Sequence, residues 1–272
     1  MMKKILTLIS AALCSLCLWG QVDSTDRYAG LDSLLTQFYT ALERESVEAK
    51  NAEFDRLIGT CTDSLLRQHV TLKVFKHYKN SRVMGEEAVA VHIYDKWIDS
   101  GLVKTKNEFE QMEAELFVNF NKYSLIGMKA PEVTLKNSWG FKEKVPAQGR
   151  ISVFFFYSTS CMKCMIEAPL LPPVLEEVDF PMDFYAVYTE FDRRDWKAFR
   201  RNFKVSNKNV RVKHLWDPDS DSDYPLMYAV NATPRIFVIW EDGEIIGRRL
   251  EVENLKQIIS YIQTANGKEK AE

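Results

Sequence analysis

Cys161-Met162-Lys163-Cys164 is the place in this sequence where residue type and spacing together could carry covalent chemistry. The apolar run Ile151 to Tyr157 gives way to a polar Ser158-Thr159-Ser160 turn, which puts Cys161 in the first turn of the helix that follows. Free N–H groups and the positive dipole end of a helix start stabilise a thiolate, so Cys161 is predicted to be a nucleophile with a lowered pKa, to which Lys163 adds. Three residues on, Cys164 shares the same helical face with its Cβ about 5 to 6 Å away. That is close enough for a disulfide after modest adjustment, and Cys164 is predicted to be the resolving thiol. Glu167 lies one turn further along. There a partly buried carboxylate of raised pKa could take the Cys164 proton, and a solvated one would have no role.

Two other chemistries suit the same residues. Cys161, Cys164, Met162 and Met165 are soft ligands of the kind that hold Cu(I), as in a copper chaperone. Alternatively the pair is an inert disulfide in a secreted binding protein. Zinc would need further ligands at fixed spacing, and His69, His77, His92 and His214 are scattered, so no zinc centre is expected and no metal ligand is assigned. Asp217, Asp219, Asp221 and Asp223 alternate as in a calcium loop but lack the glycine and closing glutamate, and read as an acidic turn capping a short helix near Pro225. Cys61 falls on the apolar stripe of a helix, where a cysteine behaves as a small buried hydrophobe.

The elements that must position the pair come in two styles. From 24 to 124 the apolar spacing is helical, predicting four helices. The first carries Leu31, Leu34, Leu35, Phe38 and Leu42, the second runs from Asn51 to Tyr78, and the third from Gly85 to Asp99. The fourth opens on a capping box, Thr105 with Glu108, ahead of a stripe of Phe109, Met112, Leu116 and Phe120. After Leu125 strands alternate with helices. The β-branched and aromatic run Ile151 to Tyr157 is expected to be buried on both faces, with strands at 184–188 and 212–216, a helix at 194–203, a hairpin at 235–249 and a closing helix at 252–262.

The chain has 272 residues, 46% apolar and 27% charged, with a net charge of −2, so nothing favours disorder or nucleic acid. Lys3 and Lys4 precede an apolar stretch ending at Trp19, a secretory signal-peptide pattern with cleavage expected after Gly20. Leu13 before Cys14 and Leu16 before Cys17 are poor lipidation contexts, so a periplasmic or otherwise extracytoplasmic protein without a lipid anchor is expected. The expected division is a signal peptide over 1–20, a helical domain over 21–124, an α/β domain over 125–267 and a tail over 268–272.

A strand, Ser158-Thr159-Ser160-Cys161-Met162-Lys163-Cys164, a helix containing Pro169 and a distant Ala232-Thr233-Pro234-Arg235 before a strand resemble the thioredoxin superfamily. Gly127-Met128-Lys129-Ala130-Pro131-Glu132-Val133-Thr134-Leu135 resembles the opening motif of TlpA/ResA-type exported thiol-disulfide oxidoreductases. The likeness covers about half the chain, Leu125 to Ile262, and the helical half resembles the N-terminal extensions of some two-domain TlpA-like proteins. It implies a thioredoxin-like α/β domain, with a central mixed sheet flanked by helices, behind an all-α domain. It also implies reduction of protein disulfides without a cofactor, supplied by an exported or membrane electron donor. Pro234 matches the family's cis-proline, Thr233 would offer its backbone to an extended substrate, and Glu167 matches the family's functional glutamate. Two positions depart from thioredoxin itself: Phe155 replaces the buried aspartate, and Lys163 the proline between the cysteines.

Overall fold

The computed structural model describes residues 28–269. The signal-peptide expectation and the last three residues of the expected tail lie outside them. The chain divides into two compact units, 28–82 with 86–115, and 83–85 with 116–269, so the boundary falls inside a helix rather than in the loop after it.

The first unit is helical: α1 (Ala29–Leu42), α2 (Val47–Thr60), α3 (Ser64–Lys79), α4 (Glu87–Ile93, continued by a π-helical turn Tyr94–Asp99) and α5 (Glu108–Asn121), which enters the second unit. Its core takes Leu31, Leu35, Phe38 and Leu42 from α1, Phe54, Leu57 and Ile58 from α2, and Val70, Val74 and Phe75 from α3. The single helix expected over 51–78 is two. The backbone turns extended at Cys61, and Asp63 starts α3 by accepting the Leu66 N–H at 2.7 Å. Cys61 is buried as expected.

Two expectations about α5 are corrected. Its cap is Asn107, which accepts the Glu110 N–H at 2.9 Å, while the Glu110 carboxylate accepts the Lys106 N–H at 3.0 Å. Thr105 donates instead to the Asn107 carbonyl. The stripe of Phe109, Met112 and Leu116 is 69%, 51% and 53% exposed, and Ala114 and Val118 are the apolar residues buried, with Asn121 beside them. Apolar spacing identifies a face of a helix but not the direction in which that face points.

The second unit is built on one sheet with seven strands among the described residues: β1 (Val133–Lys136), β2 (Lys142–Val145), β3 (Ile151–Tyr157), β4 (Met182–Tyr188), β5 (Val210–Trp216), β6 (Arg235–Ile239) and β7 (Ile245–Arg248), in the order β2-β1-β5-β4-β3-β6-β7. β3, β4 and β5 are parallel, and the remaining pairings are antiparallel. The crossovers are α6 (Met162–Glu167), a short 3₁₀ turn and α7 (Leu171–Glu176) after β3, then α8 (Arg193–Asn202) after β4. The short α9 (Tyr224–Met227) follows β5. The closing helix α10 (Val252–Glu269) runs past the expected end at Ile262 and absorbs the start of the expected tail. No helix among the described residues is long and apolar enough to cross a membrane.

β3 is an interior strand, with β4 on one side and β6 on the other and all seven residues buried. Its side chains alternate as strand geometry demands. Val153, Phe155 and Tyr157 join the core containing Cys164, Ala168 and Leu171, and Phe154 and Phe156 pack with Tyr185, Tyr224 and Tyr228 on the opposite face. At the start of the parallel strands, Asp183 is fully buried and is held by Arg150 at 2.8 Å and Arg211 at 2.7 and 2.8 Å.

Candidate active site

The buried end of β3 fixes where the chain leaves the sheet, and Cys161 caps the next helix. It has extended backbone angles, φ −84° and ψ 112°, and its sulfur accepts the Cys164 N–H at 3.2 Å in the role a Ser or Asp oxygen usually takes. From the other side the Cys161 thiol donates to the Thr233 carbonyl at 3.1 Å. Burial alone would push this thiol up. Hydrogen bonds from the Cys164 thiol, from the Thr233 side chain and from the Cys164 and Lys163 N–H groups outweigh it and hold the pKa below the ordinary 9.0. Lys163 therefore helps through its backbone rather than its charge, which is engaged elsewhere: its ammonium sits 2.6 Å from Glu251 and 3.5 Å from Glu167.

Cys164 is the opposite case. It is 1% exposed, and burial, followed by the neighbouring Cys161, pushes its pKa to about 11. Glu167 shares the inward face of α6 with it and is buried. One carboxylate oxygen faces Lys163, and the other is buried without a hydrogen-bond partner among the described residues. Burial raises the Glu167 pKa, and Lys163 offsets this only in part. Phe155, at the place of the thioredoxin aspartate, is an apolar core residue stacked 5.4 Å from Tyr157.

The Thr233–Pro234 peptide bond is cis, as the resemblance implies, and a second cis bond, Val145–Pro146, had no signal in the sequence. Beside this loop opens a cleft of about 540 Å³ with Ser158, Glu190, Phe191 and Asp217 on its walls and Val230 to Thr233 along its edge. The acidic turn borders it. Asp217 closes that turn by accepting the Asp221 and Ser222 N–H groups, Asp219 and Asp221 pair with Lys136 and Lys142, and Asp223 makes no side-chain cap to α9.

Sequence reasoning missed Glu190, just beyond β4. Its carboxylate accepts the Thr159 N–H at 3.1 Å, the Thr159 hydroxyl at 3.0 Å, the Tyr188 hydroxyl at 3.2 Å and the Ser160 hydroxyl. Burial works against its ionisation, but these donors prevail and hold it at about 2. No local pattern marks this residue, because only strand pairing brings 190 to 159.

No protein-family model matches the chain, and no curated protein matches it. Among solved structures, a thioredoxin-like protein from Bacteroides caccae is similar over 85% of this chain and 83% of its own, with 13% identity and a TM-score of 0.61. A domain of a possible thiol-disulfide isomerase from Cytophaga hutchinsonii has 24% identity over 54% of this chain and 99% of its own, with a TM-score of 0.45. The thioredoxin domain of a thiol-disulfide oxidoreductase from Bacteroides vulgatus has 21% identity over 50% and 96%, with a TM-score of 0.44. A mixed sheet with β3 in its interior, a Cys-x-x-Cys helix at the end of that strand and helices ahead of it make this chain thioredoxin-like in fold.

Proposed function

We propose that this chain is an exported thiol-disulfide oxidoreductase that reduces protein disulfides through Cys161 and Cys164. The observation that carries the reading is the division of labour between the two sulfurs: one half-exposed and held toward its thiolate, the other buried and held as a thiol. The Cys161 thiolate attacks a substrate disulfide. One S–S bond forms as the other breaks, and the first substrate thiolate leaves. Cys164, giving its proton to Glu167, then attacks the Cys161 sulfur and expels the second substrate thiolate. The substrate gains two electrons and the Cys161–Cys164 pair is oxidised by two. Thr233 presents backbone groups to an extended substrate alongside the nucleophile, a short strand-addition contact. A membrane or exported dithiol returns the pair to the reduced state. The basic and apolar N-terminal pattern supports an extracytoplasmic location.

The test is equilibration of the protein in graded glutathione buffers, with alkylation of free thiols and mass spectrometry of the Cys161/Cys164 peptide. A reversible transition near or below about −240 mV is expected, against about −120 mV for a strong oxidant. Cys161→Ser is expected to abolish exchange. A pair that exchanges at no poise overturns the reading.

A further inference from the structure

The Ser158-Thr159-Ser160 turn belongs to no helix or strand, yet both thiols depend on it. It delivers Cys161 to the cap of α6, and the Ser158 backbone works against the burial that raises the Cys164 pKa. Inside the turn, Ser158 Oγ accepts the Ser160 N–H at 3.1 Å and lies 2.8 Å from Ser160 Oγ. The remaining anchor comes from another strand. β4 runs parallel to β3 with Tyr188 opposite Tyr157, and the Thr189 N–H donates to the Tyr157 carbonyl at 2.9 Å, so the chain beyond β4 passes beside the turn. There Glu190 gathers one N–H and three hydroxyls. Hydrogen bonds to an ionised acceptor are about twice as strong as neutral ones.

An anion so close to the nucleophile opposes a thiolate on electrostatic grounds alone. Its place is therefore explained by geometry. We propose that Glu190 is a positioning residue for the thiol pair: its carboxylate locks the Ser158-Thr159-Ser160 turn, so that Cys161 stays on the helix cap, and this gain exceeds the repulsion between the two negative charges. The inference rests on the oxidoreductase reading for its purpose but not for its measurement.

Charge and position predict opposite signs, which makes the test decisive. The pH dependence of Cys161 alkylation by iodoacetamide is followed peptide by peptide in the reduced full chain, for wild type, Glu190→Gln, Glu190→Asp and Ser160→Ala. Lys163, Glu167 and Glu251, the other titratable groups around the pair, are left in place. Glu190→Gln is expected to move the midpoint upward and slow alkylation at pH 6 about ten-fold, the effect of one pKa unit. Glu190→Asp is expected to recover part of the rate. Ser160→Ala, which keeps the charge and removes one bond, is expected to shift the midpoint the same way by less, and decides the matter should Glu190→Gln fail to fold. An unchanged or lowered midpoint in Glu190→Gln, or no shift in Ser160→Ala, overturns the proposal. Exchange of wild type with glutathione disulfide is measured alongside. Its absence overturns the oxidoreductase reading, while the alkylation profiles still judge Glu190.

Discussion

Replacing Glu167 by Gln isolates the second half of the exchange. Burial is the largest cause of the high Cys164 pKa and persists in the mixed disulfide, so the resolving step is starved of thiolate at pH 7 unless a neighbouring base takes the proton as the S–S bond forms. Glu167 is the candidate base: it is buried on the same face of α6, with one oxygen unpartnered among the described residues and a raised pKa. A positioned base is worth about 10²- to 10⁴-fold. Glu167→Gln, nearly isosteric, is therefore expected to slow resolution about 100-fold at pH 7 and leave the attack by Cys161 unchanged. A chromogenic aromatic disulfide separates the steps in stopped flow, since attack by Cys161 releases one coloured thiolate and resolution by Cys164 releases the second. The variant's second phase is expected to climb about ten-fold per pH unit toward pH 11, closing the gap with wild type as hydroxide replaces the carboxylate. Folding is not expected to suffer. Burial raises the Glu167 pKa, so its ionisation costs stability once the pH exceeds the ordinary carboxylate range, and the neutral amide removes that cost. A second phase with the same rate and pH slope in both proteins refutes the proton-transfer role.

Asp183→Asn is expected to lower stability by about 2 to 3 kcal/mol in urea unfolding, because it leaves Arg150 and Arg211 without their shared buried carboxylate. The two arginines overcome burial and hold this carboxyl below its ordinary 3.8. Its contribution is thus complete above that value and is lost as the pH falls through the depressed one, so the two proteins should converge in strong acid. His214 behaves in the other direction. Burial, then Arg200 and Lys204, depress it to about 4, so the unfolded chain takes up its proton first and stability falls as the pH drops from 6.5 toward 4. His214→Phe, among Phe199 and Phe203, is expected to flatten that part of the thermal-unfolding profile, and an unchanged slope would reject the assignment.

What could be read in advance was whatever local patterning controls. Ile151 to Tyr157 announces an interior strand because six apolar residues in seven, without alternation, suit a strand buried on both faces, and the polar turn after it places Cys161 on a helix start. The hairpin of β1 and β2 escaped notice because Lys142 to Val145 is short and charged, as edge strands are. The break at Cys61 escaped because helical spacing continues across it, and only the Asp63 cap betrays it. The burial of Glu167, the diversion of Lys163 to Glu251 and the anchoring of the turn by Glu190 all depend on which elements become neighbours. No window of sequence holds that information.

The uneven exposure of Cys161 and Cys164 also bears on traffic. With one sulfur 1% exposed, an approaching molecule meets the pair only through Cys161, whichever way electrons flow. Under the proposed function, the substrate disulfide and the dithiol that recharges the pair must form their covalent intermediates on the same atom, so they take turns and never occupy the protein together. Kinetics would then follow a double-displacement pattern, with parallel lines in reciprocal plots and each reactant inhibiting at high concentration. Flux would be governed by the ratio of the two visitors rather than by the amount of either, a single docking point acting as a meter between electron supply and demand.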